Sequence, residues 1–184
     1  DGGGRALTGC VATAAYQIAY YWRNEGLNGL SQYDTPTYDY GDAPVTSVIV
    51  KKGTPFEWEL MADNSTTSAG NAAMARLCVL MGTCAWLTYG ASTGGYIWNM
   101  QDVFQNQIGL TRGEYVEKYN FSQATWETMV ISDLVQGRPI LYSSYNKDKE
   151  GWDGHAYVVD GYSTKDNTFH INFGWGYNQA TRWY

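Results

Sequence analysis

Apolar positions recur at helical spacing soon after the chain begins. In CVATAAYQIAYYW, residues 10–22, Val11, Ala14, Ala15, Ile18 and the Tyr21–Trp22 pair fall on one face and predict a helix. Thr8 stands where its cap is expected, and Gly9 where the backbone approaches something closely. Residues 69–81, AGNAAMARLCVLM, predict a second helix with Gly82 as its stop signal. A third is expected over 96–108, ended by Gly109, and a fourth after Ser122, in QATWETMVISDLVQG, closed by Gly137. Then the period changes from helical to alternating. PILYSSY from Pro139, HAYVVDG over 155–161 and TFHINFG over 168–174 read as strands. The turn residues STKDN join the last two as an antiparallel hairpin. Residues 24–68 lack a clear period, although VTSVIVKKG, 45–53, suits a strand or hairpin arm. Helices first and strands afterwards predict an α+β fold with two unlike lobes. The helical lobe is expected mainly over 1–110 and the β lobe mainly over 111–184.

Composition narrows the class. At 184 residues, 44% hydrophobic and 16% aromatic, the chain has room for one domain and enough apolar surface to offset the entropy of folding. Its net charge is −6 and it lacks Lys/Arg clusters, which counts against a nucleic-acid partner. No run approaches the ~20 apolar residues of a membrane-spanning helix. The chain opens at Asp1 without a Met or a signal-like segment and stops at Tyr184 just after a Gly/aromatic stretch. This leads us to expect a processed product or excised piece with something missing at both ends.

Few residues are candidates for chemistry. Three cysteines, Cys10, Cys78 and Cys84, are too few and too scattered for a disulfide scaffold or a zinc site, and no metal or other cofactor is expected. Cys78 and Cys84 read as buried thiols. Cys10 begins a helix, where the positive end of the helix dipole favours the nucleophilic thiolate. Of two histidines, His170 lies within a strand, whereas His155 opens one, at a corner where a base can meet a nucleophile. A base histidine works best when a further group fixes its tautomer, and Asn172, in the neighbouring strand, is the candidate. The order Cys10…His155…Asn172 follows papain-type spacing, with His and Asn ~130–150 residues after the Cys. His155 falls inside that range and Asn172 slightly beyond it.

Three blocks make the likeness specific. TGCVATAAYQIAYYW resembles the nucleophile helix of the streptopain family, within the papain-like bacterial cysteine proteases. GHAYVVDGY resembles its GHAFVIDG segment, and FHINFGWGY its YHVNWGWGG segment, in the same order. TTSAGNAAMARLCVLMG, YGASTGGY and SQATWETMVISDLVQGRPILYSSY look like diverged counterparts of the stretches between. The resemblance implies a papain-like two-lobe fold and peptide hydrolysis through an acyl-enzyme. It casts Cys10 as nucleophile, His155 as general acid/base and Asn172 as the group orienting His155. It places Trp175, Phe173 and Gly154 in the substrate cleft, with Trp175 shielding the His155–Asn172 bond. It further implies a polypeptide substrate, an inhibitory prosegment or inhibitor protein as partner, and secretion or surface display by a bacterium. Two positions depart from the family pattern. Phe173 stands where a Trp is usual, and the nine residues before Cys10 contain no Gln to serve as side-chain oxyanion donor, leaving the Cys10 backbone N–H. Two other functions compete: an acyltransferase using the same Cys–His pair, and a catalytically impaired papain-like module that binds or adheres through its many aromatics.

Overall fold

The computed structural model describes residues 6–27, 29–30, 38–39, 47–48, 51–62, 67–90, 92–146, 148, 154–175 and 181–184. Of the expected arm at 45–53, residues 45, 46, 49 and 50 lie outside them, as does most of the polar loop 146–154. Residues group into two compact units, Asp1–Gly113 and Glu114–Tyr184.

The first unit is built on two helices. α1, Cys10–Tyr21, buries Val11, Ala12, Ala14, Ala15, Ile18 and Ala19. Four alanines on that face let α2, Ser68–Cys84, pack closely, with Ala73, Leu77 and Met81 buried in turn. Thr67 caps α2, its side chain accepting from the Gly70 N–H at 3.1 Å. Thr8 does not cap α1. The cap position is Gly9 at φ 83, with no side-chain bond, and its carbonyl instead accepts from both the N–H and the hydroxyl of Thr13. An aromatic cluster secures the end of α1: Tyr20 lies 6.2 Å from Trp58, whose indole N–H donates to the Leu27 carbonyl at 2.7 Å.

Gly82 does not stop α2, which continues to Cys84. The glycine is required by packing, since a Cβ there would lie 1.9 Å from the Tyr89 hydroxyl. The expected third helix is shorter and irregular. α3 spans only Asn99–Asp102 and passes into a π-helical turn, Val103–Gln107, before Gly109 at φ 85. Short two-residue strands complete this unit, β1 (Gly29–Leu30) with β4 (Thr54–Pro55) and β2 (Tyr38–Asp39) with β3 (Ser47–Val48).

In the second unit, α4 (Gln123–Val135) starts at Ser122, whose hydroxyl accepts from the Thr125 N–H, and ends before Gly137 at φ 72. It packs on an antiparallel sheet of order β5-β6-β7-β8. The strands are β5 (Ile140–Tyr145), β6 (Gly154–Ser163), β7 (Thr168–Asn172) and β8 (Thr181–Trp183). The β6–β7 hairpin has the expected turn, with Asn167 at φ 54. A bulge between Val159 and Gly161 lets β6 run on to Ser163, beyond the period-two stretch. β8 was not anticipated: it has three exposed residues and no alternation to read. Among the described residues of this unit, Val130, Ala156, Val158 and Val159 are the buried apolar ones.

Candidate active site

Cys10 is the first residue of α1 and half-buried. Its N–H belongs to the first turn, where no intrahelical carbonyl is available, and the thiol stands at the positive end of the helix. The chain enters that turn through Gly9. A Cβ at Gly9 would sit 2.7 Å from Thr93 Cγ2 and 3.2 Å from the Thr93 carbonyl. The close approach expected of this glycine is therefore to the loop that holds Thr93. That loop also bonds the preceding strand of chain, Leu7 N–H donating to the Gly90 carbonyl at 3.2 Å. Beyond it Tyr96 and Trp98 stack at 3.9 Å and stay half-exposed.

The other two cysteines sit differently. Cys78 and Cys84 lie on α2, buried and unbridged. Burial pushes both thiols up to about 12, with the charge of Asp102 adding to the effect at Cys84. They are poor nucleophiles at neutral pH.

His155 lies on β6, opposite Ser144 of β5. Its Nε2 is 2.9 Å from the Phe173 carbonyl. A carbonyl only accepts, so Nε2 carries the hydrogen and Nδ1 is left as the nitrogen that can take a proton. Three rings surround the imidazole: Trp175 at 4.9 Å, Phe173 at 6.0 Å and Tyr157 at 6.1 Å between centroids. Trp175 stacks on Phe173 at 4.8 Å, leaving 55% of its surface exposed. Asn172 ends β7, and its Oδ1 accepts from the Gly174 N–H at 3.0 Å. That bond shapes the turn which carries the Phe173 carbonyl and the Trp175 ring, with Gly174 at φ 72. Gly154 opens β6 at an exposed position, with only ordinary contacts awaiting a Cβ. His155, Phe173, Trp175 and the Asn172 turn are thus gathered in the second unit, while Cys10 belongs to the first. His170 sits elsewhere, paired with Asp160 and under Trp183.

Two neighbours of His155 were not anticipated, Tyr157 and Ser144. The signal for Tyr157 was in the alternation, because residues two apart on a strand share a face. Among the described residues no group of three or more His, Cys, Asp or Glu is placed to hold a metal ion. No described helix is long and apolar enough to cross a membrane.

The family model of the Peptidase C10 family matches residues 1–184, and the chain belongs to that family. It is 27% identical over 181 residues to streptopain of Streptococcus pyogenes, a match covering 95% of this chain and 44% of streptopain. A thiol protease/hemagglutinin, PrtT, of Porphyromonas gingivalis is also 27% identical, over 95% of this chain and 20% of its own length. The chain thus spans less than half of either relative. Among solved structures, a prointerpain A fragment of Prevotella intermedia superposes with a TM-score of 0.83 at 28% identity, covering all of this chain and 58% of the fragment. Active wild-type interpain A of the same organism gives 0.81 at 30% identity, over 95% of this chain and 73% of that one. These neighbours carry the papain-like α+β fold that the sequence motifs implied.

Proposed function

We propose that this chain carries a cysteine endopeptidase activity in which Cys10 attacks a peptide carbonyl and His155 shuttles the proton. The observation that carries the reading is the fixed His155 tautomer. With Nε2–H held by the Phe173 carbonyl, Nδ1 is free to accept the thiol proton and later return it to the leaving amine. Family membership over the whole chain supports the same chemistry. The thiolate adds to the carbonyl carbon, and the oxyanion faces the Cys10 N–H. Collapse expels the amine with the proton from His155 and leaves a thioester, which water hydrolyses. Asn172 is a positioning residue in this account, acting through the turn that presents the Phe173 carbonyl. Trp175 covers the imidazole and keeps water from that bond, with Phe173 beneath it. The substrate is an extended polypeptide, and the natural enzyme is a secreted bacterial protein made with an inhibitory prosegment. A relative described as prointerpain A supports that last point.

The test is hydrolysis of an unfolded protein and of fluorogenic peptides by the parent chain, Cys10→Ala and His155→Ala. Each substitution should lower kcat/KM by at least about 10³-fold, as for other nucleophile–base pairs. Hydrolysis that survives either change at parental rates would remove the assignment.

A further inference from the structure

An aromatic ladder runs along one face of the second unit's sheet and ends at His155. It starts on α4, where the Trp126 indole N–H donates to the Tyr142 hydroxyl at 3.1 Å. Tyr142 stacks on Tyr157 at 5.5 Å, and Tyr157 in turn touches both His155 and Phe173, the latter at 5.4 Å. Phe173 is the residue whose carbonyl fixes the imidazole tautomer. Tyr157 therefore abuts the base and the group that holds the base. Its own ring is fixed at the far end as well: its hydroxyl donates to Ser144 Oγ at 3.2 Å. Ser144 is the residue paired with His155 across the β5–β6 ladder. The phenol thus crosses diagonally from the strand of His155 to the strand beside it and forms one wall of the slot that holds the imidazole. Trp175 forms another.

We propose that Tyr157, clamped through its hydroxyl to Ser144, is a positioning residue that holds His155 in its Nε2–H tautomer against the Phe173 carbonyl. A ring alone would fill the space; the hydroxyl adds a fixed angle. Burial keeps the Tyr157 phenol above its usual range, so it remains a donor throughout the neutral region. Loss of the clamp frees the imidazole to rotate and to exchange tautomers, without removing any group that touches substrate.

This inference rests on His155 being the base, and its test separates the two ideas. Tyr157→Phe and Ser144→Ala remove the clamp and keep the ring, so folding is preserved; Tyr157→Leu removes both. Peptide hydrolysis should show kcat falling about 3- to 10-fold for the first two and further for the third, with KM within twofold of the parent. The 15N imidazole spectrum, with only two histidines to assign, gives a readout independent of activity. Read where the imidazole is neutral, His155 should show the Nε2–H tautomer in the parent and a mixture in all three variants. Parental kcat and a parental tautomer in both Tyr157→Phe and Ser144→Ala would overturn the clamp. A tautomer shift in a chain that hydrolyses nothing would uphold the clamp and refute the peptidase reading instead.

Discussion

Gly82→Ala separates packing from helix propensity, because the two predict opposite signs. Gly82 is buried inside α2. Propensity alone would make alanine more stable there by about 1 kcal/mol. Packing opposes it. The new Cβ would lie 1.9 Å from the Tyr89 hydroxyl and 3.0 Å from both Tyr89 Cζ and Leu87 Cδ1. Tyr89 is only 4% exposed and its hydroxyl donates to the Cys78 carbonyl at 3.3 Å, so its ring has little room to withdraw. Overpacking of this kind costs about 1–3 kcal/mol, and the displaced buried hydroxyl adds about 1–3 kcal/mol more. The net expectation is a loss of about 1–5 kcal/mol. At about 2–4 °C per kcal/mol for a chain of this size, Tm should fall by roughly 2–20 °C. Urea unfolding followed by circular dichroism measures it. The Gly82→Ala/Tyr89→Phe double variant should recover part of the loss, since the nearest clashing atom is gone. A Gly82→Ala chain as stable as the parent, or more so, would refute the packing argument.

Other expectations concern the thiols and the rings. With pKa values near 12, Cys78 and Cys84 hold only about 10⁻⁵–10⁻⁴ thiolate at neutral pH, so iodoacetamide should modify the native chain once, at Cys10, and the other two only on unfolding. Two sites alkylated at similar rates in the native chain would contradict this. The same raised values make stability fall as pH rises. The buried-thiol contribution is present below the unfolded value of about 8.5 and is lost progressively toward 12, as the unfolded thiols release protons that the folded ones retain. Cys78→Ala should flatten the decline in urea midpoint between about pH 9 and 11, and an unchanged slope would count against it. Trp175 is more than half exposed but lies against His155 and Phe173. Trp175→Ala should therefore lower turnover about tenfold or more while changing stability by under about 1 kcal/mol; unchanged turnover would remove Trp175 from the site.

What the sequence revealed depended on how local the physics was. α1 was legible from its period, α4 from its period and its Ser122 cap, and the β6–β7 hairpin from its alternation and turn residues. Gly82 misled because glycine is both a helix terminator and the smallest residue, and here the second property decides, through Tyr89, seven residues further on. Thr8 misled similarly: the turn into α1 is set by Gly9 pressed against Thr93, a contact more than eighty residues away. The third helix was overextended because its apolar spacing continues into a π-turn, which period counting does not distinguish. β8 has too few residues and no buried face, and is held by pairing with β7. At the candidate site, the sequence pointed to residue types and order. It did not reveal that a main-chain carbonyl, that of Phe173, receives the His155 N–H, since any residue supplies a carbonyl. Nor did it mark Tyr157 and Ser144, whose part follows from strand register.

The most direct test of the peptidase account is labelling with a peptidyl electrophile selective for papain-like thiols, read by intact and peptide mass spectrometry between about pH 5 and 8. The parent, Cys10→Ala and His155→Ala are compared. The account predicts fast modification at Cys10 alone, abolished in Cys10→Ala and slowed by at least about 10²-fold in His155→Ala. Labelling of Cys10 no faster than that of free cysteine, or equally fast without His155, would contradict it.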